Sequence, residues 1–132
     1  MVGARPWLVL DCAHNPASAR ALAAALGEYL EYDALTLVIG IALDKDAAGV
    51  TSLLCPLADR VIVTAARNPR ALSPAQLLAV VRQQWDGPAV AVPAVSEALD
   101  LARQTAAERD AICVTGSFLV VGEAMEYLGL EA

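Results

Sequence analysis

The sequence is poor in the residues from which most metal, redox and hydrolytic sites are made. It has a single histidine, His14, and three cysteines, Cys12, Cys55 and Cys113, with no Cys-x-x-Cys pair among them. One imidazole and three scattered thiols do not make a usual zinc site. The thiols read as buried and reduced, as in a cytoplasmic protein. Cys12, beside a polar turn and a helix start, is the one with potential for reactivity, because a helix N-terminus lowers a thiol pKa. There is no Gly-x-x-x-x-Gly-Lys-Ser/Thr phosphate loop, no Gly-x-Gly-x-x-Gly fingerprint and no Gly-x-Ser-x-Gly nucleophile turn. By itself the chain cannot cradle a triphosphate.

Positive charge is also scarce, with 9 basic against 15 acidic residues and a net charge of −6. No basic stripe is present, which excludes the usual nucleic-acid binder and argues against an anionic membrane surface. The longest apolar run, Leu35 to Leu43, is far short of the roughly 20 residues that span a bilayer. The N-terminus carries Arg5 but neither the apolar stretch nor the cleavage site of a secretory leader. No repeat, low-complexity tract or interior linker divides the 132 residues, so 1–132 reads as one domain.

What the chain has in abundance is apolar segments that alternate with helix patterns. Strands are expected at Trp7–Asp11, Leu35–Ile41, Arg60–Ala65, Ala89–Val92 and Ala111–Thr115. Their continuous apolar character is that of strands buried on both faces, as in a parallel sheet. Ala19, Leu22, Ala23, Leu26 and Leu30 share one face of a helix that starts at Pro16. Further helices are expected at about Ala47–Leu54, Pro74–Trp85, Ser96–Glu108 and Phe118–Leu128. Ser73, Pro74 and Gln76 spell a capping box, Ser96 reads as the next cap, and Asp44 as a cap with Asp46 in the first turn. The fold class is α/β: a Rossmann-like, doubly wound, mostly parallel sheet of five or six strands with helices on both faces.

In such a sheet all strand ends of one kind face one side, and ligands bind outside the carboxyl ends. Four polar clusters follow strands. In Asp11-Cys12-Ala13-His14-Asn15-Pro16, Asp11 can accept hydrogen bonds or orient a neighbour, and His14 can donate to an anionic oxygen. Equally, Asp11 can cap a turn and His14 can be a surface ring. Asn15 caps the helix. Asp44-Lys45-Asp46 offers Lys45 to a phosphate, a partner domain or solvent. Arg67-Asn68-Pro69-Arg70 places two guanidinium groups around a turn, each able to grip a carboxylate in a bidentate way. In Thr115-Gly116-Ser117, Gly116 permits close backbone approach, and Ser117 can cap a helix, touch a ligand or do both.

These four clusters, with Ala71-Leu72 after the arginine turn and Val121-Gly122-Glu123 after the serine, resemble the C-terminal domain of the folylpolyglutamate synthase/dihydrofolate synthase family of the Mur ligase superfamily. The likeness runs from about Leu8 to Glu123, with Cys12 where that family has glycine. It implies an ATP-dependent amide ligase. An N-terminal phosphate-loop ATPase domain, absent from this chain, would hold ATP and Mg2+. A pteroate or folate carboxylate would become an acyl phosphate, and the amine of glutamate would displace phosphate. The resemblance assigns catalytic work to His14 and Asp11, the nucleotide side to Asp11 and Asn15, and the substrate to His14, Arg70, Asn68 and Ser117; the residues themselves add Lys45 on the nucleotide side and Arg67 on the substrate side. It gives this chain no metal ligand and implies no activity for the chain alone. Two alternatives are a cell-wall-precursor ligase of the same superfamily and a non-catalytic binding module that kept the fold.

Overall fold

The computed structural model describes residues 7–130. The N-terminal stretch around Arg5, read above as no leader, lies outside them. Strand β1 (Trp7–Leu10) leads to helix α1 (Pro16–Tyr29), β2 (Leu35–Ile39), α2 (Ala47–Leu54) and, after a 3-10 turn at Cys55–Leu57, β3 (Arg60–Val63). There follow α3 (Pro74–Arg82), β4 (Ala89–Ala91), α4 (Val95–Thr105), β5 (Ala111–Thr115) and α5 (Phe118–Leu128). The described strands form one five-stranded sheet in the order β1-β5-β2-β3-β4, with every pairing parallel.

Side-chain alternation explains the two layers of helix. Leu35, Leu37, Ile39, Val61, Val63 and Cys113 point to one face and are buried with α1, α2 and α3. Val38, Ile62, Ile112 and Val114 point to the other and are buried with α4 and α5. Because β2 and β5 are covered on both faces, all ten of their residues are buried, which is why their sequences are apolar but for Thr36 and Thr115.

Several expected boundaries shift for identifiable reasons. The strands end at Leu10, Ile39, Val63 and Ala91, short of the expected bounds, although Asp11, Gly40, Thr64 and Val92 each still donate a backbone hydrogen bond to the neighbouring strand before the chain turns into its loop. Helix α3 ends at Arg82, whose guanidinium donates to the carbonyls of Gly87 at 2.7 Å and Ala89 at 3.0 Å and closes the turn into β4. Helix α4 ends at Thr105, not Glu108, because Asp110 accepts from the N–H of Ala107 at 2.8 Å and folds the chain back. Its start is also earlier than expected: Val95 is buried with the helix's apolar stripe, so Ala94 takes the cap position and Ser96 does not cap. At α2 the cap is Asp46, which accepts from the N–H of Gly49 at 2.9 Å, and Asp44 stands outside the helix.

Candidate functional site

Parallel strands put the loops after β1, β2, β3 and β5 on one rim, and three contacts fasten those loops together. Ala13 N–H donates to the Thr115 hydroxyl at 3.1 Å, joining the β1 and β5 exits. Gly116 has φ +113°, and a Cβ on it would stand 2.1 Å from the Gly40 carbonyl oxygen, so the exits of β5 and β2 press backbone to backbone. Finally, the β2 and β3 exits pair with each other. Leu43 N–H donates to the Arg70 carbonyl at 2.7 Å, and Leu72 N–H to that of Ile41 at 2.9 Å, around an antiparallel bridge between Ala42 and Ala71.

On the β1 side, Asn15 is the N-cap of α1. Its side-chain oxygen accepts from Ser18 N–H at 2.8 Å, while the Ser18 hydroxyl oxygen accepts from Asn15 N–H at 3.1 Å. The His14 ring is half-buried. Its Nδ1 lies 2.9 Å from the Cys12 carbonyl, and its ring centroid is 5.3 Å from that of Phe118. Phe118, the first residue of α5, is otherwise 67% exposed, as are Leu119 beside it and Leu43 across the rim by more than half. Asp11 is exposed at the end of β1, with its backbone N–H on the Val114 carbonyl. Cys12 is half-buried. Burial, and secondarily the Asp11 charge, push its thiol pKa above the ordinary 9.0, which makes it a poor nucleophile despite the nearby helix start.

On the β3 side, Asn68, Arg70 and Ser117 line a single notch of about 30 Å3 with Ile41, Ala42 and Leu119. Asn68 builds the turn: its side-chain oxygen accepts from Arg70 N–H at 2.9 Å. Ser117 caps α5 by accepting from Val120 N–H at 3.1 Å, which leaves its hydroxyl proton free to donate. Because Ser117 adjoins Phe118, the Arg70 notch and the His14 ring flank the same two residues.

Arg67 does not join Arg70. Its backbone N–H donates to Glu123 at 2.7 Å, and its guanidinium, 75% exposed, pairs with Glu123 at 3.5 Å and Glu126 at 3.9 Å. It lines a separate hollow of about 350 Å3 with Ser96 and Tyr127. That hollow is larger, but its lining cation is already engaged by two carboxylates; in the notch, the Arg70 guanidinium and the Ser117 hydroxyl proton have no partner among the described residues. Lys45 stands exposed in the β2 turn, whose neighbour Gly49 abuts Pro16 at the start of α1. Among the described residues no three histidine, cysteine, aspartate or glutamate side chains are grouped to hold a metal, and no helix is long and apolar enough to cross a membrane.

Reading the sequence missed Ser18 and Phe118 as parts of this corner, and placed Thr115 on the rim without its contact to Ala13. Ser18, three residues after the cap, had a local signal; the other two act through contacts across the fold.

Three comparisons with known proteins bear on this rim. The family model of the Mur ligase, glutamate ligase domain matches residues 1–118. A probable bifunctional folylpolyglutamate synthase/dihydropteroate synthase of Haloferax volcanii is 39% identical over 125 residues, covering 94% of this chain and 15% of that protein. The structure of E. coli FolC in complex with DHPP and ADP has a TM-score of 0.89 at 29% identity, over 97% of this chain and 30% of that one. A bifunctional folylpolyglutamate synthase/dihydrofolate synthase with Mn, AMPPNP and L-glutamate bound has a TM-score of 0.86 at 32% identity, over 98% and 30%. The chain spans 15–30% of the length of these relatives.

Proposed function

Because the chain belongs to the Mur ligase glutamate ligase domain family, we propose that it is the C-terminal domain of an ATP-dependent amide ligase that adds glutamate to dihydropteroate or folate. Residues 1–132 form one domain that closes over an N-terminal phosphate-loop domain. The observation that carries the reading is the meeting of Arg70, Asn68 and Ser117 in one notch, with the His14 ring packed on Phe118, the residue after Ser117.

Amide ligation through an acyl phosphate needs three things of such a rim. The incoming amino acid must be held, its amine must lose a proton as nitrogen attacks the carbonyl carbon, and water must be kept away. For the first, Arg70 grips a glutamate carboxylate, the Ser117 hydroxyl adds a donor, and Asn68 keeps the arginine turn in shape. For the second, His14 accepts the amine proton while the carbon–oxygen bond to phosphate breaks. Asp11 supplies negative charge beside it. Asp11, Asn15 and Lys45 face the nucleotide, with Lys45 able to reach a phosphate oxygen. Arg67, paired with Glu123 and Glu126, ties the β3 exit to α5, and its exposed guanidinium stays available to the substrate once those surface pairs exchange.

The third requirement explains the size of the notch. Ligand pockets run to roughly 300–1,000 Å3, and about 30 Å3 holds no amino acid. A second surface has to complete it, which is what domain closure supplies, and exposed Leu43, Phe118 and Leu119 offer an apolar border to close upon. The Mn ion of one solved relative is assigned to the N-terminal phosphate-loop domain, as the resemblance implies. Three free thiols fit a reducing, cytoplasmic setting.

The test is kinetic, in the full-length ligase. Arg70→Ala should raise KM for glutamate roughly 10- to 100-fold, the loss of one charge-assisted contact of about 1.5–3 kcal/mol. His14→Ala should lower kcat by on the order of 100-fold or more. Wild-type kcat/KM for glutamate in both variants would defeat the assignment.

A further inference from the structure

Asn15 closes the first turn of α1 with its Oδ1, which accepts from the Ser18 N–H at 2.8 Å and faces the Ser18 hydroxyl at 2.9 Å. With the oxygen committed to Ser18, the amide's other side, Nδ2, is the one 3.4 Å from Nε2 of His14. An amide N–H can only donate, so it needs a lone pair on Nε2. At the other ring nitrogen the demand is complementary. Nδ1 lies 2.9 Å from the Cys12 carbonyl, which can only accept, so Nδ1 must carry the proton. Two separate networks, one on each nitrogen, therefore require the same form of the ring. Phe118, its centroid at 5.3 Å and its plane tilted by 39°, leans on the imidazole and restricts its rotation.

We infer that the capping box of α1 is a tautomer lock: Asn15, oriented by Ser18, acts with the Cys12 carbonyl to hold neutral His14 as the Nδ1–H form with Nε2 bare at the rim. Asn15 and Ser18 are positioning residues for the imidazole, in addition to starting the helix. The nitrogen that one ring position presents is set by the hydrogen bond at the other. Here that choice is imposed against the preference of free histidine in water, which carries its proton on Nε2. The Asn15 contact is long, so an incoming amine N–H can replace it at little cost. That last consequence rests on the amide-ligase reading; the lock itself does not.

The experiment uses the chain alone, without nucleotide or substrate. Its single histidine gives one imidazole in a two-bond proton–nitrogen correlation spectrum of 15N-labelled protein. For the neutral ring, the expected pattern has a protonated Nδ1 and an unprotonated Nε2. Asn15→Asp keeps an oxygen for the Ser18 N–H, and aspartate caps as well as asparagine, but it turns a carboxylate oxygen toward Nε2. At the same pH, Nε2 in that variant should move to the protonated range. A wild-type ring protonated on Nε2 overturns the proposal, and so does a bare Nε2 in folded Asn15→Asp. The wild-type spectrum decides alone if the variant does not fold. Failure of the kinetic test on Arg70 and His14 would leave this result untouched, so the two readings fail separately.

Discussion

Gly116 holds a conformation, φ +113°, in which a side chain is strained, and it does so where no side chain fits. An added Cβ would meet the Gly40 carbonyl oxygen at 2.1 Å, and that oxygen belongs to backbone with nowhere to go. Gly116→Ala should therefore cost at least about 2 kcal/mol, from the strained backbone and the overlap together. Gly122 lies in α5, where an added Cβ would meet nothing within 4 Å. Gly122→Ala should stabilise by roughly 0.5–1 kcal/mol, because glycine is a poor helix former. Urea midpoints of the two variants should move in opposite directions; an unmoved midpoint for Gly116→Ala would refute the close approach. The sequence offered Gly116 as a point of close backbone approach, but not what approaches it, since Gly40 is remote in the chain. The same limit hid Phe118. Its role beside His14 depends on β5 lying next to β1, which no local pattern encodes.

Helix ends show what local pattern does encode. The Ser73–Gln76 capping box was legible because both partners lie within one turn, and both hydrogen bonds are present at 3.0–3.1 Å. The Ser96 cap was a misreading, since the burial of Val95 decides where α4 starts, and burial is a property of the packed sheet. The outcome is a helix whose cap, Ala94, has the extended backbone suited to the position, φ −121° and ψ 147°, but no side-chain acceptor. Ala94→Ser should supply one and stabilise by about 0.5–1 kcal/mol, whereas Ser73→Ala should cost about 1 kcal/mol. Each change should shift Tm by roughly 2–5 °C, upward for the first and downward for the second. No rise with Ala94→Ser would mean that the first turn of α4 finds its partners elsewhere.

For the molecule as a whole, parallel topology was legible and strand order was not. Alternation of apolar runs with helices told that the polar loops share a rim, and the joined exits of β1, β2, β3 and β5 bear that out. It could not tell Arg67 from Arg70, which leave the same loop for different surroundings. Nor could it place β5 between β1 and β2, although β2 and β5 are apolar but for one threonine each. That central position has a consequence for pH. Cys113, in the middle of β5, has its thiol pKa pushed up to about 12, chiefly by burial, and burial pushes that of Cys55 up to about 11 from the ordinary 9.0. Unfolded thiols ionise near pH 9, whereas folded ones hold their protons, so the native state binds more protons above that pH. The stability that these two thiols contribute is thus whole below pH 9 and is lost as pH climbs from 9 toward 11 for Cys55 and 12 for Cys113. Two units for Cys55 correspond to about 3 kcal/mol lost across that window. Urea midpoints taken from pH 8 to 11 should stay level up to 9 and then decline, and Cys55→Ala should make the decline shallower. A flat profile in the wild type, or an unchanged slope in the variant, would mean that these thiols meet solvent far more readily than their packing allows.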